Sequence, residues 1–418
     1  MKLAQSLFVH FCKQEKSAYK FVYIANLMAV LFLFIYVNAG AQSSDSLPRL
    51  SKESKVSLLT CAPGSQLYSV FGHTAIRVSD TEEELDMVFN YGTFDFNTPF
   101  FYLKFGHGSL DYLLSVSSFK QFMREYFVEG RSVWEQELNM DFQQRRQLFR
   151  DLLINAQPEN RAYEYDFFYD NCATRVRDML LEQQDQSKLH FQNADAVQGV
   201  SFRDAIHPYL QSKPWTRLGI DLILGIPADK QTDSLSVMFL PDHLMDQFAG
   251  ISILQPGQKR FPFVQNEKQL LDFPSTDNSP VSKSSPGLLL WVGAVLIIFL
   301  SVAEFYGFTS LKWFDKVLFT IVGAAGLVIA YLWFVSHHEV TGPNLNILWA
   351  HPLWFLLIRR KRSFYTNLLR YVTLIFLVFM IFGFAALPQS IPGEFLPLWL
   401  ILTARLGVEL FPRKIRQK

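Results

Sequence analysis

At 418 residues the chain is too long for one small domain, and half of it is hydrophobic, with 40 Phe. A formal net charge of +1 argues against nucleic acid as a partner, and three cysteines are too few for a disulfide framework. The average conceals a split: residues 42–285 read as ordinary soluble protein, whereas 286–411 are dominated by long apolar runs.

The N-terminus carries Lys2, Lys13, Lys16 and Lys20, then the apolar run Phe21–Val37, then Ala39-Gly40-Ala41. A basic stretch, an apolar stretch and small residues in that order make a secretory signal, expected to span 1–41 with cleavage after Ala41. The alternative is an uncleaved signal anchor. Both place residue 42 onward outside the cytoplasm.

A soluble domain is expected over 42–272. Ser57–Cys61 and Thr74–Val78 read as strands, Asp80–Asp86 as an acidic turn and Met87–Tyr91 as the return strand. Phe119–Val128, Asp141–Asn155 and Asn171–Gln183 read as helices, the first with Ser118 as N-cap and Gln121 three residues on. The class is α+β, with a small antiparallel sheet beside helices. Residues 273–285 are rich in Ser and Pro and read as a linker.

Beyond the linker, five membrane crossings are expected over 286–411. Leu288–Ala303, Val317–Val335 and Tyr371–Leu387 are long enough as they stand. Ile347–Ile358 and Phe395–Ala404 reach that length only with their flanks, Pro343–Asn346 and Arg405–Leu410. Lys312 and Lys316, the cluster Arg359–Arg362 and the basic tail 412–418 fall in every other connection and so on one side, while the alternate loops Ser336–Gly342 and Pro388–Gly393 carry no Lys or Arg. By the positive-inside rule the basic loops face the cytoplasm.

Two stretches carry chemistry. In Phe71-Gly72-His73-Thr74-Ala75-Ile76-Arg77-Val78, a histidine opens a strand, and alternation puts it on the same face as the small Ala75, which leaves room for a helix. In Tyr169-Asp170-Asn171-Cys172-Ala173-Thr174-Arg175-Val176, Asp170 or Asn171 can cap a helix whose first turn holds Cys172. A helix N-terminus favours a thiolate, and a nearby imidazole favours it further. A cysteine and a histidine so placed are the apparatus of nucleophilic acyl transfer. A third group should orient the imidazole, and Asn90 on the return strand is the first choice, ahead of Asp95 and His107. The spacing of His73, His107 and the cysteines matches no zinc site, and no cofactor is expected. Composition leaves Cys61 and Cys172 either disulfide-bonded or as two free thiols.

A strand-borne His, a polar residue on the next strand and Asn-Cys opening a helix resemble the order in permuted papain-like enzymes of the lecithin:retinol acyltransferase and phospholipid acyltransferase group. There the second polar residue is usually His, whereas this chain offers Asn90. A closer resemblance covers nearly the whole chain. The leader, Leu59-Thr60-Cys61-Ala62-Pro63-Gly64, Phe71-Gly72-His73, Asn90-Tyr91-Gly92, Asp170-Asn171-Cys172 and five spans together resemble the Lnb-type lipoprotein N-acyltransferases. That resemblance implies a periplasmic permuted papain-like domain joined to a five-helix membrane domain in the bacterial inner membrane. It also implies transfer of an acyl chain from a phospholipid to the N-terminal amine of a diacylglyceryl-cysteine lipoprotein.

Two other readings stand beside it: an envelope cysteine peptidase or amidase acting on cell-wall peptides, and a non-enzymatic protein with a Cys61–Cys172 disulfide. The polar loop from His337 to Asn346, running on to His351, is expected to face the catalytic domain. His338, Asn344, Asn346 and His351 are its candidate substrate-binding residues. Reporter fusions test the topology: they should read periplasmic at Ser285, and cytoplasmic at the Arg359–Arg362 cluster and at Lys418. A periplasmic signal at the Arg359–Arg362 cluster would end the five-crossing expectation.

Overall fold

The computed structural model describes residues 49–192, 199–254, 259–274, 285–359 and 362–411. The expected leader, most of the 273–285 linker and the basic tail lie outside the described residues. The N-terminal part is α+β, and it is followed by a helical C-terminal part.

The elements of the first part are β1 (Lys55–Cys61), β2 (His73–Asp80), β3 (Leu85–Thr93), α1 (Phe101–His107), β4 (Asp111–Ser118), α2 (Phe119–Glu129), β5 (Val133–Leu138), α3 (Phe142–Asn155), β6 (Ala162–Glu164) and α4 (Cys172–Leu181). There follow β7 (Leu189–Phe191), α5 (Phe202–Ile206), α6 (Pro214–Ile223), α7 (Pro241–Gly250), β8 (Ile251–Leu254), β9 (Arg260–Pro262) and β10 (Val264–Leu271). The three expected strands and three expected helices are all present. Ser118 caps α2 by accepting from Gln121 N, and Asn171, not Asp170, caps α4.

The sheet is larger than expected. Among the described residues it has seven antiparallel strands in the order β10-β5-β1-β2-β3-β4-β6. The sequence of β10, Val-Gln-Asn-Glu-Lys-Gln-Leu-Leu, hides its strand character because this edge strand buries little and shows no apolar alternation. The β1–β2 register sets Leu59 opposite Ala75 and Cys61 opposite His73. Leu59, Cys61, Ala75, Val88 and Val133 pack under Phe122 and Tyr126 of α2, so α2 is the helix that occupies the room beside Ala75. On the other face Phe89 meets Phe149 of α3 edge-on.

The second part comprises α8 (Pro286–Phe305), α9 (Lys312–Phe334), α10 (Phe364–Gly383) and α11 (Leu396–Leu410). Among the described residues three helices are long and apolar enough to cross a membrane: Pro286–Phe305, Lys312–Phe334 and Phe364–Ala386. The expected third helix, Ile347–Ile358, is not a helix of that kind. Leu345–Leu348 and Pro352–Leu356 form separate 3-10 turns, and Pro352 brings no N–H to an α-helical ladder. This irregular backbone packs directly on α9. A side chain on Gly326 would place its Cβ 2.5 Å from the His351 carbonyl carbon. α11 has 15 residues, a length of about 22 Å.

The two parts are joined by a polar seam. The last carbonyls of a helix have no partner within it. Asn344 Nδ2 donates to Leu222 O and Ile223 O of α6 at 2.9 and 3.1 Å, and Asn346 Nδ2 donates to Leu222 O at 3.1 Å. Gln389 Nε2 donates to Leu224 O at 3.1 Å. Gly225 N and Ile226 N donate to Val340 O and Pro343 O at 2.9 and 2.8 Å. A Cβ on Gly225 would lie 2.4 Å from Pro343 O, so only glycine permits this approach. Both asparagines are fully buried. Asn346→Ala should therefore remove one of the two donors to Leu222 O, leave the buried Trp349 Nε1 without its acceptor, and destabilise the full chain by about 1–3 kcal/mol. Thermal unfolding in detergent measures this, and His338→Ala, whose ring is partly exposed, should shift the midpoint less.

Candidate active site

Cys172 begins α4, where Asn171 Oδ1 accepts from Ala173 N and Thr174 N at 2.8 and 2.9 Å. Asn171 Nδ2 donates to Phe167 O and Phe239 O, both at 2.8 Å, which fixes the start of the helix against its surroundings. Thr74 Oγ1 donates to Cys172 O at 3.1 Å and ties the same turn to β2. Cys172 is buried, 9 % exposed.

His73 opens β2, and its imidazole stands beside the Cys172 thiol, near enough for each to act on the other's charge. Asn90 of β3 lies on the same face of the sheet, with Oδ1 2.5 Å from His73 Nε2. A carbonyl oxygen only accepts, so Nε2 donates there and Nδ1 is left for the sulfur. The structure thus brings together the three residues expected to act, Cys172, His73 and Asn90. Asp95 instead accepts from Asn97 in its own turn, and His107 pairs with Tyr331, so neither orients the imidazole.

Burial works against a Cys172 thiolate, but the His73 charge and hydrogen bond outweigh it, helped by the N–H groups of Thr74 and Ala173. The net effect lowers the thiol below its ordinary value. Burial likewise opposes a charged His73, and the Cys172 charge, its hydrogen bond and Asn90 reverse that, so the imidazole is raised. Each partner favours the charged form of the other. Cys61 is the opposite case. Burial pushes its thiol up to about 12, which keeps it protonated and inert. Both cysteines are free, so the disulfide expected by the non-enzymatic reading is absent.

Two contributors escaped the sequence. Gly92 has φ +87°, and a Cβ there would lie 3.2 Å from Cys172 Cβ, so the absent side chain makes room for the cysteine. Its only signal was its place at the end of Asn90-Tyr91-Gly92. Thr74 had none. The loop residues divide. His338 does face the first part, with Nε2 donating to Phe105 O at 3.0 Å. Asn344 and Asn346 are spent on the seam, and Asn346 Oδ1 also accepts from Trp349 Nε1 at 3.0 Å. His351 stacks on Trp354 and meets Thr373 Oγ1 through Nε2 at 3.0 Å, inside the helical part. The hydrogen bonds described for these three run within the protein, where substrate contact was expected. Among the described residues no group of three or more His, Cys, Asp or Glu is placed to hold a metal.

Two family profiles match the chain. The Lnb N-terminal periplasmic domain covers residues 49–205 and the Lnb transmembrane domain covers 277–416. The chain belongs to the Lnb family. It is a multi-pass membrane protein with a periplasmic domain, and Cys172, His73 and Asn90 all fall in the periplasmic match. No curated protein and no solved structure shows significant similarity to it.

The electrostatics of this Lnb-family site can be read by alkylation. Iodoacetamide should modify Cys172 with a pH midpoint below that of an ordinary thiol, about 8.5. His73→Ala removes the positive partner, so the midpoint should rise and the rate at neutral pH should fall about tenfold, the effect of one pH unit. Cys61 should stay unmodified at neutral pH in both proteins, which peptide mapping reports.

Proposed function

We propose that this Lnb-family protein is a lipoprotein N-acyltransferase of the bacterial inner membrane. It takes an acyl chain from a phospholipid onto Cys172 and passes it to the N-terminal amine of a diacylglyceryl-cysteine lipoprotein. The observation that carries the reading is the Cys172–His73 pair, whose mutual influence favours thiolate and imidazolium, in a domain seamed to membrane helices. Donor and acceptor are both held in the bilayer, so an enzyme joining them must work at its surface. The chain order His73, Asn90, Cys172 on strand, strand and helix supports a permuted papain-like domain.

The Cys172 thiolate attacks the ester carbonyl of the phospholipid. The C–O bond breaks, His73 gives its proton to the departing glycerol oxygen, and lysophospholipid leaves a thioester behind. The acceptor amine then attacks the thioester and yields a proton to His73. The C–S bond breaks and the thiolate returns. Exchanging an ester for an amide is downhill, and the thioester divides one hard step into two easier ones. Asn90 holds the imidazole with Nδ1 toward the sulfur.

The five-crossing topology belongs to the same reading, with α8, α9, the 344–359 segment, α10 and α11 as the crossings. A 3-10 segment rises about 2.0 Å per residue against 1.5 Å for an α-helix, so few residues cover more depth. Backbone of this kind is tolerated in a membrane where protein buries it, and Trp349, Ala350 and Trp354 are buried. Arg405 pairs with Asp315 at 2.6 Å and Arg370 with Glu409 at 2.8 Å, which gathers the buried charges near the ends that carry the basic loops.

Intact-protein mass spectrometry with phospholipid and no acceptor should show one added acyl chain, released by neutral hydroxylamine. Cys172→Ala should abolish it. Cys172→Ser should lose turnover or trap a more stable oxygen ester. Asn90→Ala should slow the reaction less than His73→Ala does, because it acts through the imidazole. Activity surviving in Cys172→Ala, or a chain mapped to Cys61, overturns the assignment. Cleavage of peptidoglycan fragments without any acyl adduct would favour the peptidase reading.

A further inference from the structure

The segment between β3 and β4 carries aromatic residues that the catalytic pair does not use. Phe96, Phe100, Tyr102, Leu103 and Phe105 are between 53 and 82 % exposed. Between Phe94 and Gly106 only Asp95 and Lys104 are charged. A contiguous apolar strip of this kind marks a surface that is covered in use.

Its cover is indicated by what holds α1. His337 N donates to His107 O at 2.8 Å, His107 Nδ1 meets Tyr331 Oη at 3.0 Å, and His338 Nε2 donates to Phe105 O. Tyr331, Trp333 and Phe334 end the apolar helix α9, and aromatic side chains gather where a spanning helix meets the membrane–water boundary. The strip is therefore tethered at the depth where α9 leaves the bilayer. Lys104, on the same short helix, has a stem long enough to keep its charge in the headgroup region.

The other end of the strip leads inward. The Phe94 ring lies 5.0 Å from Phe96, 5.7 Å from Phe101 and 5.4 Å from Tyr112, and Tyr112 stacks on Tyr165 at 4.2 Å. Tyr112 also lies 6.4 Å from Tyr163, and a Cβ on Gly92 would lie 3.8 Å from Tyr163 Oη and 3.2 Å from Cys172 Cβ, so the rings reach the neighbourhood of the cysteine. A chain of ring contacts thus runs from the exposed strip to the surroundings of the thiol.

We propose that the Phe96–Phe105 strip is immersed in the outer leaflet of the bilayer, and that Phe94, Tyr112 and Tyr165 guide a phospholipid acyl chain from it to Cys172. The guiding role rests on the acyl-transfer reading, whereas immersion does not. The strip enters the leaflet beside α9, loosens a lipid from its neighbours and offers its chain an aromatic surface on the way to the sulfur.

The test is photolabelling of the full chain in vesicles of phosphatidylethanolamine and phosphatidylglycerol, doped with a phosphatidylcholine that carries a diazirine in one acyl chain. After irradiation, adducts should map to the peptide containing 94–107 in wild type and in Cys172→Ala alike. The double variant Tyr102→Lys, Leu103→Lys should cut that labelling about fivefold or more, since charged side chains are driven out of hydrocarbon. Both positions are exposed, so the fold tolerates the change, and labelling of α8–α10 serves as the internal control. Adducts confined to α8–α11 overturn the proposal, as do 94–107 adducts that require Cys172. If the acyl-transfer reading alone fails, Cys172 gains no thioester while 94–107 is still labelled, so the two failures are distinguishable.

Discussion

The arrangement depends on how the last carbonyls of α6 are satisfied. A buried carbonyl without a partner is costly, and a helix end presents several at once. Here the partners come from the membrane part, through Asn344, Asn346 and Gln389, and the return bonds run from Gly225 N and Ile226 N to Val340 and Pro343. Neither part can leave the other without exposing these groups unpaired. A flexible tether would let the periplasmic domain wander, whereas this seam sets its height and orientation against the helices.

Within that frame the two thiols of the periplasmic domain show how environment, not residue type, sets reactivity. Cys61 faces Tyr126 in the core beneath α2, and burial raises it. Cys172 is buried as well, yet it stands at a helix start with an imidazole beside it and the N–H groups of Thr74 and Ala173 close by. Desolvation is common to both. The charge partner and the donors decide the outcome.

The helical part reaches its packing by an uncommon route. Gly323 and Gly326 of α9 leave a smooth surface on which Phe355 and the His351 backbone rest directly, so one side of the run of 3-10 turns is covered by α9. Trp349 and Trp354 are buried in the same contact, with Trp354 Nε1 donating to Trp349 O at 2.8 Å. The buried ion pairs of Arg405 and Arg370 anchor α11 to its neighbours. Such pairs hold register because removing one member would strand the other.

The sequence by itself determined the division into a soluble α+β part and a hydrophobic part, because composition and apolar run length are local properties. It also determined that His73 opens a strand and that Cys172 opens a helix, since alternation and the Asn171 cap are written within a few residues. Asn90 followed from being on the strand that returns beside β2. Tertiary structure alone decided the rest. An amide looks the same in sequence whether it meets a ligand or a helix end, and Asn344 met Leu222, 122 residues earlier in the chain. The edge strand β10 was illegible because its pairing with β5 needs no buried face of its own. The 3-10 turns at 345–356 were read as a helix because apolar composition reports burial, not the hydrogen-bonding pattern that the neighbouring glycines permit. The space that Gly92 leaves for Cys172 exists only once β3 and α4 have met, since a missing side chain acquires meaning only from the atom that comes to lie against it.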